Sequence, residues 1–143
     1  MTRPLSLFPV LILLATAPAS AQNKPFSFVG TWQVSGQAVG MGESFHPENS
    51  NPSAEPKVHQ VNLRFVFEKQ EGNNFWGKST GRSGTSEYIL GAASRDGKTG
   101  VLVNGRGNQQ QFTILDANTV EGCYAASLPK YVSAACTIWT RQP

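Results

Sequence analysis

VNLRFVFE, residues 61–68, is the stretch of sequence that decides the fold. Every second side chain in it is apolar, and these share one face of an extended chain: Val61, Leu63, Phe65 and Phe67. The opposite face carries Asn62, Arg64 and Glu68. This alternation is typical of an antiparallel strand with one buried and one wet face. No later stretch shows a sustained helical period, so the sequence predicts an all-β protein.

Similar short segments recur about every ten residues, which is the spacing of a β-sandwich or β-barrel. Between them lie turn residues that tolerate positive φ, among them Gly72-Asn73, Asp96-Gly97 and Asn104-Gly105. Because each strand can pair with its sequence neighbour, we predict an eight-stranded antiparallel up-and-down barrel. The predicted strands are 29–39, 58–70, 74–82, 86–95, 99–104, 108–115, 119–126 and 132–141.

Successive loops of an up-and-down barrel alternate between its two ends. Loops one, three, five and seven are 40–57, 83–85, 105–107 and 127–131, and the remaining three loops are tight turns. The long first loop therefore lies at the same end as the seventh, which contains proline. Long loops on a rigid scaffold commonly carry binding residues, so we predict that this end is the open mouth.

The first 21 residues have the layout of a secretory signal peptide. Arg3 gives a basic start, an apolar run extends from Leu5 to Leu14, and Ala19-Ser20-Ala21 ends it with small residues. The run is about half of the roughly 20 apolar residues that a membrane-spanning helix needs. We expect cleavage before Gln22, no membrane anchor, and a periplasmic or secreted product. Residues 22–143 are then a single β-barrel domain.

The cysteine and charge content narrow the class of protein further. Cys123 and Cys136 are the only cysteines, and an even count in an exported chain favours a disulfide over two buried thiols. The chain has 12 basic and 9 acidic residues without any basic cluster, so we expect no nucleic-acid partner.

The segment Phe28-Val29-Gly30-Thr31-Trp32 contains a Gly-x-Trp pattern. It resembles the opening of the first strand in lipocalins, avidins and their relatives, together called calycins. In that superfamily a basic residue of the last strand commonly packs across the tryptophan, and the resemblance implies this structural role for Arg141 against Trp32.

Other parts of the chain carry the calycin resemblance in layout. Residues 75–79 and 86–91 are similar to the third and fourth strands of avidin-type barrels, and a long first loop is typical of lipocalins. The biotin-contacting residues of avidins have no match here, and the lipocalin helix before the last strand is missing. Biotin binding is therefore not implied. Avidin-like barrels often assemble, so oligomer formation stays open.

Catalytic and metal-binding patterns are missing from the sequence. His46 and His59 are the only histidines, and neither stands in a metal-ligand spacing. Ser83, Ser86 and Ser127 could each pair with His46, but no nucleophile elbow surrounds them and no carboxylate is placed to orient the imidazole. We predict a solvated His46 and a protein that is not an enzyme and needs no metal or cofactor.

Basic side chains gather at the predicted mouth. Sorting the loops by end brings together Arg82, Arg106 and Lys130, which could attract a carboxylate, a phosphate or an acidic protein surface. The predicted ligand-binding residues are Arg82, Ser83, Tyr88, Arg106, Lys130 and Tyr131.

Two functions follow from this arrangement. The first is an exported protein that holds a small, partly apolar molecule in the barrel mouth, with an anionic group as one option. The second is a module that binds an envelope protein through the open-end loops, in the manner of lysozyme or protease inhibitors. Some lysozyme inhibitors carry Ser-Gly-x-x-Tyr, whereas here Ser83-Gly84 is followed by Tyr88, one residue too far. A filled interior would favour the second function, and an accessible cup the first.

Overall fold

The computed structural model describes residues 26–143. The predicted signal peptide, residues 1–21, lies outside the described residues. The described part contains one short 3-10 helix, Pro47–Asn49, and eight strands. The strands are β1 (Gly30–Gly42), β2 (Lys57–Glu71), β3 (Asn74–Thr80), β4 (Ser86–Ala93), β5 (Thr99–Asn104), β6 (Gln109–Asp116), β7 (Thr119–Leu128) and β8 (Tyr131–Arg141).

The eight strands form a closed antiparallel ring in sequence order. Each strand pairs with the next, and β1 pairs with β8 in a register that places Trp32 opposite Arg141 and Gly42 opposite Tyr131. The predicted all-β up-and-down barrel is therefore confirmed. The predicted ends of β1 differ most from the observed ones, because the strand continues to Gly42 before the first loop begins. Closure leaves neither β1 nor β8 with an unpaired edge.

Aromatic rings fill the end of the barrel opposite the long first loop. Phe28 precedes β1, is fully buried, and stacks on Phe75 with ring centroids 3.8 Å apart. Its amide donates to Gln70 Oε1 at 2.7 Å, and its carbonyl accepts from Trp32 Nε1 at 2.8 Å. The segment before β1 therefore acts as a plug. The same core contains Phe65, Phe67, Phe112 and Trp139.

Arg141 covers the filled end from outside. Its guanidinium carbon lies 4.2 Å from the centre of the Trp32 ring, as the calycin resemblance implied for the last strand. The guanidinium also donates to the backbone carbonyls of Val29 at 3.0 Å and Ala117 at 3.3 Å, and to that of Ser27. A cation over an indole contributes about 0.5–2 kcal/mol, and here it also ties the plug to the last strand.

Two glycines on the inner wall make room for the large rings. A Cβ on Gly91 would lie 2.2 Å from the Phe75 ring, and one on Gly100 would lie 2.3 Å from the Phe112 ring. Only glycine fits opposite these rings. Because Gly91 points inward, the strand alternation of β4 also turns Ile89 and Glu87 inward.

The disulfide joins the outer faces of two neighbouring strands. Cys123 on β7 is directly opposite Cys136 on β8, both are exposed, and the described chain has no free cysteine. The predicted disulfide is therefore confirmed. No helix among residues 26–143 is long and apolar enough to cross a membrane.

Candidate functional site

The half of the barrel beneath the first loop contains an unfilled cavity of about 90 Å³, which we call the cup. Its deeper wall is apolar, with Val34, Val61, Leu63 and Ile89 and the ring of Phe65. Polar side chains join the wall closer to the mouth and along β6 to β8: Ser79, Glu87, Asn108, Gln110, Tyr124, Tyr131 and Thr137. An apolar cavity with a few polar groups is the usual design of a small-molecule site.

The first loop, residues 43–56, folds over the cup, and we call it the lid. Asn51 organises it: the side-chain amide donates to the carbonyls of Gly40 at 3.1 Å and Glu55 at 3.0 Å. Asn51 also forms a β-bridge with Gly42. Nearby, Ser50 Oγ accepts from the Ser44 amide at 2.8 Å. The lid is therefore an ordered loop with its own hydrogen bonds.

The lid is fastened to the three other loops of the same end. Glu48 Oε1 accepts from the Ser83 amide at 3.3 Å, and the Arg106 guanidinium carbon lies 3.5 Å from the centre of the Phe45 ring. The Glu43 amide donates to the Lys130 carbonyl at 2.8 Å. Loops one, three, five and seven thus meet at one end, as the alternation of loops requires.

His46 and Glu87 meet beneath the lid. The two residues come from the lid and the inner wall of β4, and His46 Nε2 lies 3.4 Å from Glu87 Oε1. Both side chains are about nine-tenths buried. Gly81 permits this arrangement, because a Cβ there would lie 2.5 Å from His46 Nδ1.

Several buried atoms around the cup have no hydrogen-bond partner among the described residues. They are both ring nitrogens of His46, Glu87 Oε2 and Asn108 Oδ1. Most buried polar atoms in folded proteins are paired, so each exception requires an explanation. The residues that carry these atoms line the cup, so a water molecule or a ligand inside it is the simplest missing partner.

The sequence prediction for His46 is wrong. We expected a solvated loop histidine without an orienting carboxylate, yet His46 is 7% exposed and faces Glu87. The loop has no periodicity from which burial can be read. The available signal was in β4: placing Gly91 inward beside a large ring assigns Glu87 to the interior.

The structure separates the six predicted ligand-binding residues into three groups. Arg82, Ser83, Arg106 and Lys130 are exposed on the rim, where the last three contact the lid. Tyr131 is buried and lines the cup.

Tyr88 forms the third group and does not reach the cup. Its side chain is on the outer face of β4, 64% exposed, with Lys78 Nζ 5.3 Å from the ring centre. Placing Tyr88 at the mouth was incorrect. The inward-facing side chains of β4 alternate with Tyr88 and Leu90, which therefore both point outward.

Tyr124 is a neutral donor in the cup wall. Burial raises the pKa of its phenol above the ordinary value, a hydrogen bond to Ser133 opposes this change, and Tyr131 adds to it. The hydroxyl donates to Ser133 Oγ at 2.9 Å, and Ser133 Oγ donates to the Val39 carbonyl at 3.0 Å. This chain of bonds fixes the phenol against β8. Within residues 26–143, no group of three or more His, Cys, Asp or Glu side chains could hold a metal ion.

Lowering the pH is expected to release the lid from the 81–85 loop. Partial burial raises the pKa of Glu48, but hydrogen bonds from its own amide, from Ser83 and from the Arg82 backbone outweigh it, so the pKa lies below the usual 4.5. A carboxylate with a lowered pKa stabilises the closed lid above pH 4.5, and this contribution is lost as the pH falls through the lowered value.

Amide NMR spectroscopy can follow this release. The Ser83 amide signal should titrate with a midpoint below 4.5, and Glu48→Gln should abolish the titration. Glu55→Gln, which removes a carboxylate elsewhere on the lid, should leave it intact. A midpoint at or above 4.5 would show that this contact does not fasten the lid.

No protein-family model and no curated protein matches the chain. Among solved structures, a redesigned β-barrel is similar, with a TM-score of 0.51 and 14% identity over 80% of this chain and 91% of that barrel. An S-type phycobiliprotein lyase from Guillardia theta gives a TM-score of 0.34 at 13% identity, covering 81% of this chain and 89% of the lyase. The first similarity shows the β-barrel fold alone, and the second is too weak to support an argument. The calycin resemblance stays a prediction.

Proposed function

We propose that this protein binds a small, partly apolar molecule in the cup beneath the lid and does so without catalysing a reaction. One observation carries the proposal: side chains leave the cup open, and residues with buried polar atoms that lack a protein partner line it. A cavity that served packing alone would be lined by apolar groups, because unpaired buried polar atoms destabilise a fold.

The filled end of the same barrel supports this interpretation. An eight-stranded barrel is just wide enough to be filled by side chains or to hold one small ligand. In this chain aromatic rings fill one half, whereas shorter side chains such as Val61, Ser79 and Thr137 surround the cup. The open space therefore reflects the choice of residues in that half and is not imposed by the number of strands.

The envelope-protein alternative has less support. It requires open-end loops that are free to insert into a partner, but Ser83, Arg106 and Lys130 contact the lid. We therefore interpret the rim loops as structures that hold the lid over the cup. An exported location is part of the proposal, supported by the signal-like residues 1–21 and by the disulfide, which persists in oxidising compartments.

Filling the cup is expected to abolish ligand retention. Val61→Phe places a ring in the cavity, whereas Val132→Phe places the same ring on the outer face of β8, where Val132 is 52% exposed. Native mass spectrometry of protein purified from its own host should show a small-molecule adduct on the unsubstituted protein and on Val132→Phe, and none on Val61→Phe. An adduct that persists on Val61→Phe, or the absence of any adduct on the unsubstituted protein, would contradict the proposal.

A further inference from the structure

We infer that the cup selects a short aliphatic amine, with its ammonium head at Glu87 and its apolar body against the deeper wall. This inference rests on the proposed function, because it assigns ligand chemistry to the same cavity. It follows from the charge inside the cup, the unpartnered atoms and the cavity size.

The charge inside the cup is acidic. Glu87 is the one carboxylate among the described residues that line the cavity, no lysine or arginine lines it, and the basic side chain in the lining, His46, is carried by the lid. The rim arginine Arg106 stacks on Phe45, and Lys130 pairs with Glu43 at 3.5 Å, so both basic groups are engaged with the lid. A ligand carboxylate would meet a buried like charge, which is unfavourable, whereas an ammonium group would neutralise it.

Two of the unpartnered atoms require a hydrogen-bond donor. Glu87 Oε2 and Asn108 Oδ1 are acceptors without partners among residues 26–143. An ammonium group has three donors and no acceptor, so it carries enough donors for both. A hydroxyl group has a single donor and can satisfy one of them. The pattern therefore ranks an amine above an alcohol of the same shape.

His46 occupies the position of this cation when the lid is closed. Its Nε2 lies 3.4 Å from Glu87 Oε1, and the residue is carried by the lid rather than by the barrel wall. If the lid moves, His46 moves with it, and its position beside Glu87 becomes free for an arriving ligand. An amine at Glu87 would therefore compete with His46, which couples ligand binding to the position of the lid.

The cavity volume limits the apolar body. A dry protein cavity of about 150 Å³ accepts benzene. The cup is smaller, at about 90 Å³, and most of the apolar side chains that line it are aliphatic. A branched chain of a few carbon atoms fits this space, so isobutylamine is a suitable probe.

Three probes with one carbon skeleton test the inference: isobutylamine, isobutanol and isobutyrate. Binding is followed by the methyl NMR signals of Ile89 in the cup, with the exposed Val101 as an outer reference. Isobutylamine should bind at least about tenfold more tightly than isobutanol, the ratio expected for a hydrogen bond to a charged group, and isobutyrate should bind most weakly. Glu87→Gln should bring the amine close to the alcohol, while Glu121→Gln on the outer face should change nothing.

The outcomes separate the two proposals. Isobutyrate binding as tightly as isobutylamine, or an amine preference that survives Glu87→Gln, would overturn the inference and leave the proposed function standing. If none of the probes shifts the Ile89 signals up to its solubility limit, the cup does not admit small molecules, and both proposals fall. Should Glu87→Gln not fold, the affinity ranking of the three probes on the unsubstituted protein still tests the inference.

Discussion

Phe28→Ala is expected to lower the free energy of unfolding by about 3–5 kcal/mol, the usual range for truncating a buried phenylalanine. The ring is fully buried and contacts four others, stacking on Phe75 and meeting Phe26, Phe67 and Phe112 edge-on. Its removal leaves a cavity among strands that close a ring, and such strands cannot collapse inward without breaking the β1–β8 pairing.

Urea denaturation measures the effect of Phe28→Ala, with Val29→Ala as the matched control. Val29 is the next residue and is 43% exposed, so its truncation should change stability by less than about 0.5 kcal/mol. A loss below about 1 kcal/mol for Phe28→Ala would show that the segment before β1 is not a structural plug.

Removing the disulfide by Cys123→Ala with Cys136→Ala is expected to lower the free energy of unfolding by about 3 kcal/mol. The cysteines are separated by 13 positions, and their bond restricts the unfolded chain while both lie on the outer face of the barrel. The native contacts therefore change little. Because the unfolded chain becomes less compact, the denaturant dependence of the unfolding free energy should also rise.

Reduction of the unsubstituted protein provides the control for the disulfide variant. Its unfolding curve in excess reductant should coincide with that of the double variant, since both lack the same bond. Equal stability with and without the bond would contradict this prediction. It would mean that the segment 123–136 is already as restricted in the unfolded chain without the disulfide as with it.

Most of the fold could be predicted because its signals are local. Alternation in residues 61–68 and turn residues such as Asp96-Gly97 placed the strands, and their number implied closure. The contact between Trp32 and Arg141 followed from the calycin resemblance. The plug at Phe28 was not predicted, because the residues before β1 follow neither a strand nor a helix period.

The candidate site was predicted only in part. Sorting the loops by end placed the rim correctly, because the order of the strands in an up-and-down barrel determines which loops share an end. The His46–Glu87 pair was missed because it joins an irregular loop to a strand whose inward face depends on which ring packs against Gly91. Such packing arises from contacts distant in sequence.

The division of the barrel into a ring-packed half and a hollow half has an evolutionary consequence. Some residues belong to the packed end alone, such as Phe28 and Trp32, and others to the cup alone, such as Ser79 and Glu87, while Phe65 contributes to both. If the proposed function holds, substitutions of residues that line only the cup alter ligand selectivity while the aromatic core of the other half keeps its contacts. On the same proposal, a lineage of such barrels could exchange one ligand for another through a few inward-facing changes, with little loss of stability.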